Sequence, residues 1–238
     1  ISTFSSFFTR SSDQIRMAAI SISTIHFCGS HVGVSIGDDG PSQMGLEDIA
    51  LFGALPGSII LQPSDAVSMQ KILPEVLSEP GITYIRSLRP KTPVLYAQEE
   101  NFSIGGSKVL LHSTDDLLTV LATGITVHEA LEAAKELEKE GIFIRVVDCY
   151  SIKPLDKREI LASIDATREK IIITVEDHFE HGGFGDFVLD ALAFEQVKVI
   201  KLAVGKISRS GTMKELLHAS IIDKDAIMEE VRKVASQL

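Results

Sequence analysis

Short runs of β-branched residues alternate along this chain with stretches in which apolar residues recur every three or four positions. The runs are typical of buried strands, and the stretches are typical of amphipathic helices. Their alternation predicts an α/β fold built on mostly parallel sheets. The chain has 238 residues, enough for one large or two modest domains. We therefore expect two doubly wound, mostly parallel-sheet domains.

The second half of the chain alternates most clearly. Strands are predicted at 117–122, 142–148, 171–175 and 197–204. Helices are predicted at 127–140, after Pro154 and Asp156, after 182–185, and at 213–218 and 225–236. Right-handed crossovers would join these elements into one compact domain.

The first half is shorter of strands. Strands are predicted at 25–28, 58–61 and 82–86, and helices at 13–22, 46–55 and 66–77. The aperiodic segment 93–107 contains two adjacent glycines and is the expected linker, which gives domains 1–100 and 101–238. About three strands is fewer than the roughly 5–6 of a usual sheet. We therefore expect the first domain to be incomplete at its N-terminus.

Charge and cysteine content exclude several functions. With 23 basic and 33 acidic residues the net charge is −10, so a non-specific nucleic-acid binder is not expected. Cys28 and Cys149 form no disulfide framework or zinc motif, which favours a reducing, cytoplasmic location. No apolar run approaches the ~20 residues of a membrane span.

Two aromatic residues stand near the start of the chain. Phe4 and Phe7 are three positions apart and would share one face of a helix. Such a pair could form a wall against a flat heteroaromatic ring. Ordinary core packing remains the alternative at this point.

A glycine-rich loop at 29–40 carries an imidazole and carboxylates. His31 could donate to a hydroxyl or phosphate oxygen, and Asp39 could accept from a sugar hydroxyl. A solvated surface turn is the alternative, but a long loop without secondary structure is uncommon unless it has a function. Gln43, near the start of the next predicted helix, offers a donor and an acceptor to a heterocycle edge.

Two arginines follow the predicted strand 82–86. Ligands of α/β sheets lie beyond the carboxyl ends of strands, so Arg86 or Arg89 is suitably placed for a phosphate. A salt bridge to a carboxylate is an equally good explanation without further context.

Two other motifs give weak signals. Segment 176–181 (EDHFEH) has no metalloprotease order and is interpreted as a polar turn after a strand. Segment 182–185 (GGFG) lacks both GxGxxG and a P-loop lysine, so a tight strand-to-helix turn explains it.

Several segments in a fixed order resemble the transketolase family over essentially the whole chain. They include STFSSFFTRSSDQIRMAAIS, CGSHVGVSIGDDGPSQMGLEDIALF, YIRSLRP, SIKPLD and TVEDHFEHGGFG. The resemblance is to the end of the pyrimidine-binding domain and the C-terminal domain, and Gln43 resembles the animal-type branch.

The resemblance implies a role for each candidate residue. Phe7 would stack on the aminopyrimidine of thiamine diphosphate, with Phe4 and Gln43 beside it. His31, also the candidate catalytic group, and Arg89 would bind the substrate phosphate, and Asp39 a hydroxyl. Transfer of a two-carbon ketol unit between sugar phosphates in the pentose phosphate pathway is the expected reaction.

The sequence departs from the family at one point. The family's essential glutamate precedes the aromatic pair, whereas the first glutamate here is Glu47. No metal ligands are assigned to the chain, because the family holds Mg²⁺ or Ca²⁺ in another domain. We expect residues 1–238 to be inactive alone. The active protein would be a homodimer, or it would include a separate chain that carries the missing domain.

Two alternatives remain open at this stage. The first is a related thiamine-diphosphate enzyme, such as deoxyxylulose-phosphate synthase or a 2-oxo-acid dehydrogenase β subunit. The second is a non-catalytic transketolase-like dimerisation module.

Overall fold

The computed structural model describes residues 1–237, which form two five-stranded sheets flanked by helices. The strands are β1 (Ser2–Phe4), β2 (Ile25–Ser30), β3 (Ile59–Leu61), β4 (Ile82–Arg86), β5 (Lys108–Leu111), β6 (Thr119–Ala122), β7 (Arg145–Asp148), β8 (Ser151–Lys153), β9 (Ile171–Phe179) and β10 (Lys198–Val204). The α-helices are α1 (Ser12–Ile20), α2 (Asp48–Gly53), α3 (Ala66–Ser78), α4 (Ile125–Lys139), α5 (Lys157–Asp165), α6 (Phe184–Ala191), α7 (Met213–Ala219) and α8 (Lys224–Ala235). Two 3-10 helices cover Ser5–Ser11 and Val34–Asp39.

Both sheets are mostly parallel, which confirms the predicted fold class. The first sheet has the order β1-β2-β4-β3-β8, and the second has the order β10-β9-β6-β7-β5. Only β8 in the first sheet and β5 in the second pair antiparallel to their neighbours. Strands β1, β5 and β8 were not predicted from the sequence. Of these, β1 lies in the first half of the chain, so the count of three strands there was too low.

Side-chain caps fix where several helices begin. Asp65 and Ser68 form a reciprocal capping box at the start of α3, and Thr212 and Glu215 do the same at α7. Asp223 accepts from a backbone N–H at the start of α8. No helix within residues 1–237 has the length and apolar character needed to cross a bilayer.

The apolar core is continuous between the two sheets. One cluster joins Phe52 and Ile60 of the first half to Leu121, Ile172 and Phe184 of the second. All five side chains are almost completely buried. The two sheets therefore share a core.

Strand β9 continues four residues beyond its predicted end. Glu176, Asp177 and His178 lie within the strand and are fully buried, so the interpretation of 176–181 as a polar turn was wrong there. Polar side chains in a strand are compatible with burial when they find partners. Those partners come from both halves of the chain.

Candidate functional site

A buried arginine lies where the two sheets meet. Arg86, the last residue of β4, donates from Nε and Nη2 to the Asp48 carboxylate, at 2.7 and 3.0 Å. It also donates to Gln62 Oε1 and to the backbone oxygens of Gly45 and Asp177. Its side chain is completely buried. Arg86 therefore forms a structural ion pair with Asp48. Of the two arginines, Arg89 remains the candidate for binding a phosphate.

Opposite charge also governs the titration of this junction. Burial alone would raise the pKa of Asp48, but the adjacent Arg86 guanidinium holds that pKa below its ordinary value. Tyr84 donates to the same carboxylate at 2.5 Å. Burial lowers the pKa of His178 to about 4, so this imidazole is neutral near pH 7. The junction therefore keeps one guanidinium–carboxylate pair charged and the nearby imidazole neutral.

Adjacent carboxylates of β9 hold two different helix starts. Asp177 Oδ1 and Oδ2 accept from the backbone N–H groups of Val34 and Ser35, at 2.7 and 3.0 Å. The Glu176 carboxylate accepts from Phe184 N and Gly185 N. Neighbouring residues of a strand face opposite sides of the sheet, so each serves a separate element. The GGFG turn is thus filled by a side chain of the protein itself.

Five of the six residues expected to bind ligands lie together in one row. The Phe7 and Phe4 rings stack with centroids 5.4 Å apart, and the Phe4 ring stacks on the His31 imidazole at 3.7 Å. His31 Nε2 is 4.0 Å from Asp39 Oδ2, which in turn accepts from Arg89 Nη1 at 2.6 Å. An aromatic surface therefore passes directly into a pair of charged groups.

Exposure along the row differs between its members. Phe7 is 39% exposed, while the side chains of His31, Asp39 and Arg89 are 19%, 31% and 45% exposed. Burial and the Arg89 charge lower the pKa of His31, and Asp39 opposes them only in part. The imidazole is accordingly neutral near pH 7, with Nδ1 2.9 Å from Ser30 Oγ.

The segment 29–40 is more ordered than the sequence suggested. Strand β2 extends to Ser30, and a 3-10 helix that is kinked at Gly37 occupies Val34–Asp39, so the expectation of a loop without secondary structure was wrong. Gly33 has φ +75°, and a Cβ there would lie 2.0 Å from Asp177 Oδ2. Only glycine permits this close approach. His31 also has positive φ, at +59°.

Two local expectations about the other site residues need correction. Phe4 ends β1 and Phe7 lies in the 3-10 helix, so the pair meets across a strand–helix junction and not along one helix. Gln43 lies half-buried in a turn, and α2 begins only at Asp48. Within residues 1–237 no side-chain hydrogen bond joins Gln43 to the row.

Metal-ligating side chains come together elsewhere. Among the described residues, His218, Asp223 and Asp225 have ligand atoms within 4.8 Å of one another. His218 Nδ1 is 2.7 Å from Asp223 Oδ2, and Asp223 also caps α8. These groups lie at α7 and α8, so they are not part of the aromatic and charged row.

Comparison with known proteins identifies the family. The family model described as the transketolase pyrimidine binding domain matches residues 1–94, and the one for the transketolase C-terminal domain matches residues 107–227. The chain belongs to the transketolase family.

Individual transketolases resemble the chain along its whole length. Transketolase from Mus musculus is 50% identical over 99% of this chain, and that from Homo sapiens is 51% identical over 97%. The chain spans 38% and 37% of those two proteins. A solved structure of a split-gene transketolase, described as an inactive β4 tetramer, superposes with a TM-score of 0.86 at 31% identity, covering 99% of this chain and 75% of that one.

In this transketolase-family chain, the buried side chains beneath the row were harder to predict from the sequence than the row itself. Arg86 was a candidate from its sequence position, but its partners Asp48 and Gln62 were not predicted, and Asp177 was expected in a turn. A buried arginine must find acceptors, yet the sequence does not say which of 33 acidic residues supplies them. Asp48 lies 38 residues before Arg86, so no local pattern links the two.

Proposed function

We propose that this chain supplies the aromatic and sugar-phosphate-binding wall of a transketolase site, which transfers a two-carbon ketol unit from a ketose phosphate to an aldose phosphate. The observation that carries the proposal is the continuous row Phe7–Phe4–His31–Asp39–Arg89. Such a row offers an apolar face and a charged end within one short span, as a ring-containing cofactor and an anionic sugar require.

At the charged end, Arg89 and His31 are the proposed phosphate ligands. The Arg89 guanidinium is exposed enough to reach a ligand while its Nη1 is held by Asp39 and by the Ile36 carbonyl. A neutral His31 can donate one hydrogen bond to a phosphate or hydroxyl oxygen. We assign Asp39 to a hydroxyl near the reacting carbon. His31 is the candidate catalytic group, because its Nε2 lies 4.0 Å from Asp39 Oδ2.

At the aromatic end, Phe7 is the proposed stacking partner of thiamine diphosphate, with Phe4 and Gln43 beside it. The partly exposed Phe7 ring fits this role, whereas one face of Phe4 is already covered by His31. The cofactor supplies the nucleophilic carbon of the reaction. The chain's own residues orient the ring and exclude water from it. Mg²⁺ or Ca²⁺ would be held by residues outside 1–238.

We also propose that residues 1–238 do not complete the reaction alone. Glu47, the first glutamate, follows Phe4 and Phe7, whereas the family's essential glutamate precedes the aromatic pair, so Glu47 does not take its place. The remaining groups would come from another domain or chain, in a cytoplasmic assembly such as a homodimer. We retain a division into 1–100 and 101–238, since 87–107 contains neither helix nor strand.

Arg89→Ala tests the proposal in the natural form of the protein, with any chain that accompanies it. We expect phosphorylated substrates to lose about 1.5–3 kcal/mol of transition-state stabilisation, the range for hydrogen bonds to charged groups. Non-phosphorylated analogues should be almost unaffected. The control is Arg168→Ala, an exposed arginine outside the row. Equal losses for both kinds of substrate would remove Arg89 from the phosphate role.

A further inference from the structure

The 3-10 helix that carries Asp39 is held at its other end by a residue distant in the sequence. Asp177 of β9 bonds the N–H groups of Val34 and Ser35, 143 and 142 residues away. At the far end of the same short helix, beyond a kink at Gly37, Asp39 accepts from Arg89. The second sheet therefore contacts the charged end of the row through this short helix.

Several contacts make this attachment rigid. Asp177 is completely buried, and Gly33 packs against its carboxylate with no room for a side chain. The Asp177 carbonyl accepts from Arg86 Nη2, which also donates to the Gly45 carbonyl. Gly45 N in turn donates to the His31 carbonyl at 3.3 Å. Movement of Asp177 would thus be transmitted both to His31 and to the start of the helix.

Arg89 depends on the same helix. Its Nη1 donates to the Ile36 carbonyl at 3.2 Å as well as to Asp39. A shift at the start of the helix would displace the Ile36 carbonyl directly and the Asp39 carboxylate through the kink at Gly37. Misplacement of a binding group by about 1 Å can cost on the order of 100-fold in rate.

We propose that Asp177 is a positioning residue for the sugar-phosphate site. Its carboxylate fixes the start of the Val34–Asp39 helix and thereby sets the spacing of His31, Asp39 and Arg89. The identity of the ligand rests on the proposed function, whereas the effect on the helix does not. The residues around β9 therefore contribute to substrate selection without touching the substrate.

Asp177→Asn tests this role, because an amide keeps one acceptor oxygen but turns its NH₂ group toward the second backbone N–H. Glu176→Gln is the matched control. Glu176 is the adjacent residue, is equally buried, and holds two backbone N–H groups in the same way, but at the start of α6. A loss of general stability would affect both variants alike.

Two readouts separate positioning from stability, both on the natural form of the protein. We expect Asp177→Asn to lower the preference for ribose 5-phosphate over ribose, as a ratio of kcat/KM values, at least fivefold, with KM changing more than kcat. Amide hydrogen exchange should accelerate at least tenfold within 33–40. Glu176→Gln should keep the preference within twofold and accelerate exchange only around 184–187.

Gly33→Ala is a second variant that leaves β9 unchanged, and it serves if Asp177→Asn does not fold. Its added Cβ must push the same carboxylate away, so the same loss of preference is expected. The proposal would be overturned if these variants kept both the kcat/KM preference and the amide exchange rate within 33–40. It would also be overturned if Glu176→Gln lost the preference to the same extent. If the unaltered protein does not prefer ribose 5-phosphate, the proposed function is wrong, and exchange within 33–40 then decides alone whether Asp177 positions the helix.

Discussion

Replacement of Asp48 by alanine should destabilise the protein more than any surface substitution. The change would leave the Arg86 guanidinium charged and buried with only three of its five hydrogen bonds. Tyr84 would also lose the acceptor for its buried hydroxyl. Breaking a buried pair from one side costs about 3–5 kcal/mol, because the remaining charge stays without compensation. We expect a loss in that range.

Urea unfolding at pH 7 measures this loss, provided that the dependence on urea concentration keeps its slope. Glu132→Ala is the control, since its exposed pair with Lys135 should contribute no more than about 0.5 kcal/mol. The double variant Asp48→Leu with Arg86→Met should recover much of the loss, because it leaves no buried charge.

The pH dependence of unfolding gives an independent check on the contribution of the Asp48 carboxylate to stability. The folded-state pKa of Asp48 lies below its ordinary value. Its contribution is therefore present above the unfolded pKa of about 3.9 and is lost only as pH falls through the lower folded pKa. The difference between the unaltered protein and Asp48→Ala should be the same at pH 7 and pH 5.5. A loss below about 1 kcal/mol, or one that disappears by pH 5.5, would refute the reasoning.

Three further predictions concern other parts of the molecule. Phe7→Ala should weaken thiamine diphosphate binding by about 1–3 kcal/mol by calorimetry, whereas Phe194→Ala, on the surface, should not; unchanged affinity would return Phe7 to ordinary packing. Burial raises the pKa of Asp148 to about 7, so its stabilising effect is full below pH 4 and is lost as pH rises through 7. Between pH 5 and pH 8 the urea midpoint of Asp148→Asn should therefore fall less than that of the unaltered protein. Parallel curves for the two proteins would contradict this. Lys153→Met should cost about 1–3 kcal/mol, because Lys153 Nζ donates to the carbonyls of Gly53 and Leu55, at and just after the end of α2, and to Ser58 Oγ. An unfolding midpoint equal to that of Lys157→Met would contradict this prediction.

Sequence patterns predicted the long, apolar elements better than the short ones. The helix predicted at 127–140 is α4, and the strand predicted at 197–204 is β10. Strands β5 and β8 have four and three residues. Such segments are too short for a periodic signal, and their pairing depends on distant neighbours. The extension of β9 was missed because its polar residues are buried only by partners elsewhere in the chain.

In the candidate site too, residues in local motifs were predicted and residues that act over long sequence distances were not. His31, Asp39 and Arg89 were recognisable from their loops and motifs, and the fold brings them together. The support beneath them was not recognisable, since Asp177 serves residues more than 140 positions away. Local patterns carry no record of such separations, so residues that act through others are the last to be predicted.

Strand β8 has a consequence for how the polypeptide can be divided. It lies after the segment 87–107, yet it pairs with β3 as the edge strand of the first sheet. A protease that cuts within 87–107 should therefore release no free half, because the two pieces would remain associated by strand complementation. Conversely, a truncated product that ends near residue 100 would expose the unpaired backbone edge of β3, which could pair with other copies and cause self-association.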